Sequence, residues 1–177
     1  MRVSSCEAKI CPSSKHVPHL SSQSPSLDAP PAAHFGLPHR PPFVFVRKLL
    51  ATDPGVAAEC MTFFDPEDPI FAGHFPGHPL VPGVILTEAL AQTAGIAAAS
   101  IYPEKEQPLF LLSAIRGMKF HRAARPGETI HLRADKLAQV DNLLQFGVTA
   151  TVDNVTVAEG QLVLAVAGRN ATRTARE

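Results

Sequence analysis

GHFPGHPLVPGVILTEALAQTAGIAAASIY, residues 73–102, is the stretch whose reading decides the fold. Its Gly- and Pro-rich opening cannot be regular helix, because Pro76, Pro79 and Pro82 each lack a backbone donor. Pro82 stands where a proline is tolerated, at the first turn of a helix. From Gly83 to about Ser100 nearly every face is apolar: Val84, Ile85, Leu86, Ala89, Leu90, Ala91, Ala94, Ile96 and the alanines that follow. A helix that is apolar all round is a buried helix. At about eighteen residues it spans about 27 Å, the width of a small domain. Into this rod are set Glu88 and Gln92, four positions apart and so on one face. A lone carboxylate there is costly unless it is paired or protonated, and its pKa is expected to rise. Such a position suits a general acid.

The segments on either side read as strands. PFVFVRKLL, residues 42–50, is rich in β-branched and aromatic side chains and predicts a first strand. Asp53-Pro54-Gly55 predicts a turn and residues 56–64 a returning strand. Residues 65–69 form a loop or a single helical turn before Gly73, and residues 103–108 a polar connection after the helix. Four long strand-like runs follow, over 109–120, 129–140, 143–152 and 156–166. Arg125-Pro126-Gly127, Asp141-Asn142 and Asp153-Asn154 separate them as turns. Alternation is lost at Leu162 to Val166, as in a strand covered on both sides. Strands segregated around one helix predict an α+β fold, an antiparallel sheet wrapped around one long buried helix. An open sheet leaves an edge strand to protect, and pairing with a second copy is one way to protect it.

Composition narrows the function classes. A chain of 177 residues and 18.9 kDa is most simply one domain with a real core. Sixteen basic and sixteen acidic residues cancel, so no bulk charge points to nucleic acid or to an anionic membrane. No uninterrupted apolar run reaches membrane-spanning length, since Glu88 and Gln92 break the helix. Cys6, Cys11 and Cys60 make no disulfide framework and suit a reducing compartment, the cytoplasm. Residues 1–34, Ser- and Pro-rich without periodicity, read as a disordered tail, and residues 169–177 as a short C-terminal tail, leaving a domain over 35–168. The N-terminal stretch lacks the apolar core of a secretory signal. Cys6, Cys11, His16 and His19 fit no compact zinc finger, and Pro76 and Gly77 spoil the spacing of His74 and His78 as a metal pair. No metal or cofactor is expected.

The residues themselves go further. Leu37-Pro38-His39-Arg40, then Pro42-Phe43, Gly73-His74-Phe75-Pro76-Gly77, Pro79, Pro82-Gly83-Val84, Glu88-Ala89 and Ala91-Gln92 closely resemble the β-hydroxyacyl-ACP dehydratases of the FabZ type. Phe120, Arg122 and Pro126-Gly127 match that family's next conserved strand, and the resemblance runs from about residue 37 to 166. It implies a hot-dog fold, a homodimer with two shared active sites, a possible trimer of such dimers, and a substrate carried on acyl carrier protein. Carried over, the catalytic histidine falls on His74 and the catalytic carboxylate on Glu88. Gly83 matches the glycine whose N–H receives the thioester carbonyl, Gln92 the support of the carboxylate, and Leu80 the residue whose carbonyl orients the histidine. Phe75, Pro82, Val84, Phe110 and Ile115 are the expected tunnel lining; Lys119, Arg122 and Arg125 are most simply a solvated strand end, and their position also suits docking of an acidic carrier.

The chemistry asks for the same groups. Loss of water across C2 and C3 of a 3-hydroxyacyl thioester needs a base for the C2 proton and an acid for the hydroxyl. It also needs donors for the charge that develops on the thioester oxygen. A histidine suits the first task, a carboxyl held protonated the second, and the N–H groups of a helix N-terminus the third. The sequence leaves open whether His74 performs both transfers. Two rivals are a hot-dog acyl-CoA thioesterase and a non-catalytic subunit of a dehydratase complex. There are departures from the family pattern. Arginine stands at 47 and 116 where acidic residues are usual, Ala123 where proline is common, and a poor helix former, residues 28–32, precedes Leu37. They suggest a divergent paralogue and leave the catalytic set untouched.

Overall fold

The computed structural model describes residues 35–167. Chain order is β1 (Lys48–Asp53), β2 (Ala57–Thr62), a single-turn α1 (Ile70–Gly73), α2 (Gly83–Ala99), a 3-10 turn (Glu104–Glu106), β3 (Leu109–Phe120), β4 (Ile130–Val140), β5 (Leu143–Val152) and β6 (Val155–Ala167). The all-round apolar segment is α2, and Pro82 is its N-cap, one position earlier than the first turn. From Leu86 to Ala99 every residue of α2 is buried except Glu88. Two threonines inside this rod remain satisfied: Thr87 and Thr93 donate to the carbonyls of Gly83 and Ala89, one turn back, at 2.8 and 2.9 Å.

The six strands form one sheet in the order β1-β2-β4-β5-β6-β3, with every pairing antiparallel. It curls around α2, which packs on β2, β4, β5 and β6. Leu90, Ile130, Leu132, Phe146 and Leu162 are fully buried at that contact. Truncating one of these leucines to alanine costs about 2–5 kcal/mol, because close-packed neighbours fill the void only in part. Two tight hairpins set the register of the last three strands. Asp153 and Asn154 both adopt positive φ (50° and 63°), as a two-residue type I′ turn demands, and Asp141 does the same (52°) at the β4–β5 turn. Leu162, Val163 and Leu164 are all buried, as their lost alternation predicts.

The first strand is the main correction. Residues 42–47 are not sheet, and β1 begins only at Lys48. Within them, the Phe43 carbonyl and both backbone groups of Phe45 bond side chains instead. The Gln92 carboxamide accepts from the Phe45 N–H and donates to the Phe43 carbonyl, and the Thr62 hydroxyl donates to the Phe45 carbonyl. β3 lies at one edge with eight of its twelve residues exposed, Leu111, Ser113, Ile115, Arg116, Lys119 and Phe120 among them. Among the described residues its outer backbone groups have no strand beside them, the situation that invites pairing with another chain. No helix among the described residues is long and apolar enough to cross a membrane. The expected tails, 1–34 and 169–177, and with them Cys6, Cys11, His16 and His19, lie outside the described residues.

Candidate active site

His74 sits at the end of α1, where the chain enters a turn. In Phe75-Pro76-Gly77-His78 the His78 N–H donates to the Phe75 carbonyl (2.9 Å), and Gly77 takes φ +75°, open to glycine at no steric cost. The loop closes again where the Leu80 N–H donates to the His74 carbonyl (3.1 Å). Across the same closure His74 Nδ1 lies 3.2 Å from the Leu80 carbonyl oxygen, and its ring stacks on Phe75 at 4.1 Å. A carbonyl only accepts, so the proton of a neutral His74 sits on Nδ1 and Nε2 is left with a free lone pair. That is the form a general base needs.

Gly83 opens α2, so its N–H has no carbonyl one turn back to bond. A side chain here would collide with Phe120: a Cβ would lie 3.0 Å from Cζ and 3.1 Å from Cε1 of that ring. Glycine therefore lets the aromatic ring approach the start of the helix closely.

Glu88 is less sealed than a lone carboxylate in an apolar rod. Its side chain is 22% exposed and has polar company. Gln92, almost fully buried, donates from Nε2 to Glu88 Oε1 (3.1 Å) while its Oε1 accepts from the Phe45 N–H (2.9 Å). His39 Nε2 lies 3.5 Å from the same Glu88 oxygen. Glu88, Gln92, His39 and Phe43 face a cavity of about 200 Å³ whose apolar wall includes Leu37, Phe110 and Leu164.

Of the expected tunnel residues, Phe110 alone lines this cavity. Phe75, Val84 and Ile115 are 52%, 79% and 53% exposed on the single chain, and Pro82 is buried. No hydrogen bond or ion pair joins His74 to Glu88 within the chain, although both are among the described residues. Lys119, Arg122 and Arg125 are all exposed near the end of β3. Glu128 holds the corner, accepting from Arg122 Nη1 (3.2 Å) and from the Arg125 N–H (2.8 Å). Arg47 makes no ion pair among the described residues; its guanidinium lies 5.8 Å above the Phe63 ring. Among the described residues no three His, Cys, Asp or Glu side chains converge as metal ligands would. His39 is the participant that sequence reasoning passed over: it belongs to the Leu37–Arg40 motif, but nothing local tells that its ring reaches α2.

Six antiparallel strands curled around one long buried helix make a hot-dog fold. Comparison with known proteins makes the assignment specific. A family model described as ApeI dehydratase matches residues 52–161. The 3-hydroxyacyl-(acyl-carrier-protein) dehydratase FabZ of Acetivibrio thermocellus is 40% identical over 134 residues, covering 76% of this chain and 91% of that protein. Its counterpart in Chloroflexus aggregans is 38% identical over 130 residues, covering 73% and 90%. Among solved structures, the dehydratase heterocomplex ApeI:P of Xenorhabdus doucetiae superposes with a TM-score of 0.65 over 76% of this chain and 90% of that one, at 17% identity. The chain belongs to the FabZ-type dehydratase family.

Proposed function

We propose that this chain removes water from (3R)-3-hydroxyacyl thioesters on acyl carrier protein, giving trans-2-enoyl thioesters in fatty acid or related acyl-chain synthesis. The observation that carries the reading is on one helix: α2 offers the unbonded N–H of Gly83 at its start and, at Glu88, a carboxyl group anchored by Gln92 in a cavity wall. His74 Nε2 takes the C2 proton. The electron pair of that bond becomes the C2–C3 double bond, by way of charge on the thioester oxygen held at the Gly83 N–H. Glu88 gives its proton to the C3 hydroxyl, which leaves as water. His74 then holds one proton more and Glu88 one fewer, and exchange with solvent restores both.

The site is built from two copies. His74 and Glu88 do not meet within one chain, and Phe75, Val84 and Ile115 stand exposed, Ile115 on the edge strand β3 and Val84 in the first turn of α2. Pairing of that edge with a second copy accounts for both facts, makes a homodimer, and allows a trimer of dimers. An acidic carrier protein fits the exposed Lys119, Arg122 and Arg125, and a cytoplasmic setting fits the carrier.

Subunit exchange between His74→Ala and Glu88→Gln proteins tests the shared site. Half the dimers become heterodimers with one intact site and one doubly damaged site, so activity recovers to roughly a quarter of wild type. If both groups came from one chain, every site would keep a lesion and no activity would return.

A further inference from the structure

Glu88 Oε1 is the meeting point of groups from two elements: the Gln92 amide from the next turn of α2, and His39 from the segment before β1. The His39 ring is held in place from several sides. It stacks on Phe43 with ring centres 6.0 Å apart, and the Phe43 carbonyl accepts from Gln92 (3.2 Å). Arg40 turns its guanidinium back onto the carbonyls of Leu37 (3.2 Å) and His39 (2.7 Å), and the Phe43 N–H closes the turn onto the Arg40 carbonyl (2.9 Å). Gln92 thus fixes Phe43, Phe43 fixes His39, and both Gln92 and His39 face the same carboxyl oxygen.

We propose that His39 is a positioning residue for Glu88: Gln92 donates to Oε1 at 3.1 Å and His39 Nε2 lies against the same oxygen at 3.5 Å, so the transferable proton resides on Oε2 and that oxygen faces the substrate. The inference rests on Glu88 acting as the acid. An amide nitrogen only donates, so Oε1 is an acceptor and the acid's own proton belongs on Oε2. His39 Nδ1 is buried without a hydrogen-bond partner among the described residues. A proton there would be an unanswered buried donor, so the neutral ring carries it on Nε2, toward Glu88. The two side chains are 28% and 22% exposed, and so open a pair adds little to stability. Its consequence is orientation.

The test is a double-mutant cycle with steady-state kinetics on 3-hydroxyacyl-carrier protein and a thermal scan of each protein. His39→Phe keeps an aromatic ring against Phe43 and loses the donor; kcat falls about threefold to tenfold, the scale of one neutral hydrogen bond. KM stays within about twofold, since the missing contact acts on the reaction and not on binding. His39→Gln, whose amide nitrogen reaches about as far as Nε2, recovers most of the loss. In a Glu88→Gln background His39→Phe costs less than about twofold, because no transferable proton is left to orient. An equal loss in both backgrounds overturns the proposal. So does full turnover by His39→Phe, or a raised KM with a lowered midpoint that His39→Gln does not repair. Full turnover by Glu88→Gln alone is a different failure: it removes the acid assignment, and this inference with it.

Discussion

Replacing Gln92 by methionine, a side chain of similar length without hydrogen-bonding groups, separates what this residue does for the fold from what it does for the chemistry. Gln92 is 1% exposed and makes three bonds: from the Phe45 N–H at 2.9 Å, to the Phe43 carbonyl at 3.2 Å and to Glu88 Oε1 at 3.1 Å. Methionine leaves the Phe45 N–H without an acceptor in a part-buried position and frees the weaker bond at Phe43. The expected loss is about 2–4 kcal/mol, dominated by the unsatisfied N–H. For a chain of this size that lowers the thermal midpoint by about 4–16 °C. Circular dichroism melts of both proteins measure it. Turnover falls as well, at a temperature where both remain folded, because the Glu88 carboxyl loses its stronger donor. A midpoint within about 2 °C of wild type would refute the idea that one side chain substitutes for a strand ladder over residues 43–45.

Glu88→Gln retains the fold and the oligomer and loses most turnover, since an amide cannot give up a proton as a carboxylic acid does; a purified variant at near wild-type rate would remove Glu88 from the mechanism. Gly83→Ala forces the Phe120 ring to move by a few tenths of an ångström, the Cβ otherwise standing 3.0 Å from Cζ. Its thermal midpoint changes little while kcat drops by about tenfold or more, read by parallel melts and kinetics, as expected when a donor to the thioester oxygen is obstructed. Cys60 is buried, and burial pushes its thiol from 9.0 up to about 11. The folded chain therefore keeps a proton that the unfolded chain loses. The associated stability is present below pH 9 and is lost as pH rises toward 11. Melts across that window should fall more steeply for wild type than for Cys60→Ala.

The helix and the last four strands were legible because their signals are local. An all-apolar run bounded by Pro82 has only a buried helix to form, and the Asp-Asn pairs at 141 and 153 mark tight hairpins that fix register between neighbours. The ends of β4 and β6 differ by one residue from the reading, within ordinary fraying. Residues 42–47 were misread for a reason periodicity cannot see. A β-branched, aromatic run looks the same whether its backbone bonds a strand or the side chains of Gln92 and Thr62. At the site, the His74–Leu80 and Glu88–Gln92 pairs follow from short spacing in a loop and on one helix. The reach of His39 to Glu88 does not, because it is set by how the segment before β1 crosses α2.

The dehydratase reading is tested most directly by following the enoyl-thioester absorbance with crotonyl-carrier protein as substrate, where the reverse reaction adds water. The account predicts that the band decays to an equilibrium with wild-type protein, that no free thiol appears, and that Glu88→Gln strongly slows the decay. A band that stays constant with folded wild-type protein, or that falls in step with release of the carrier's thiol, would contradict it.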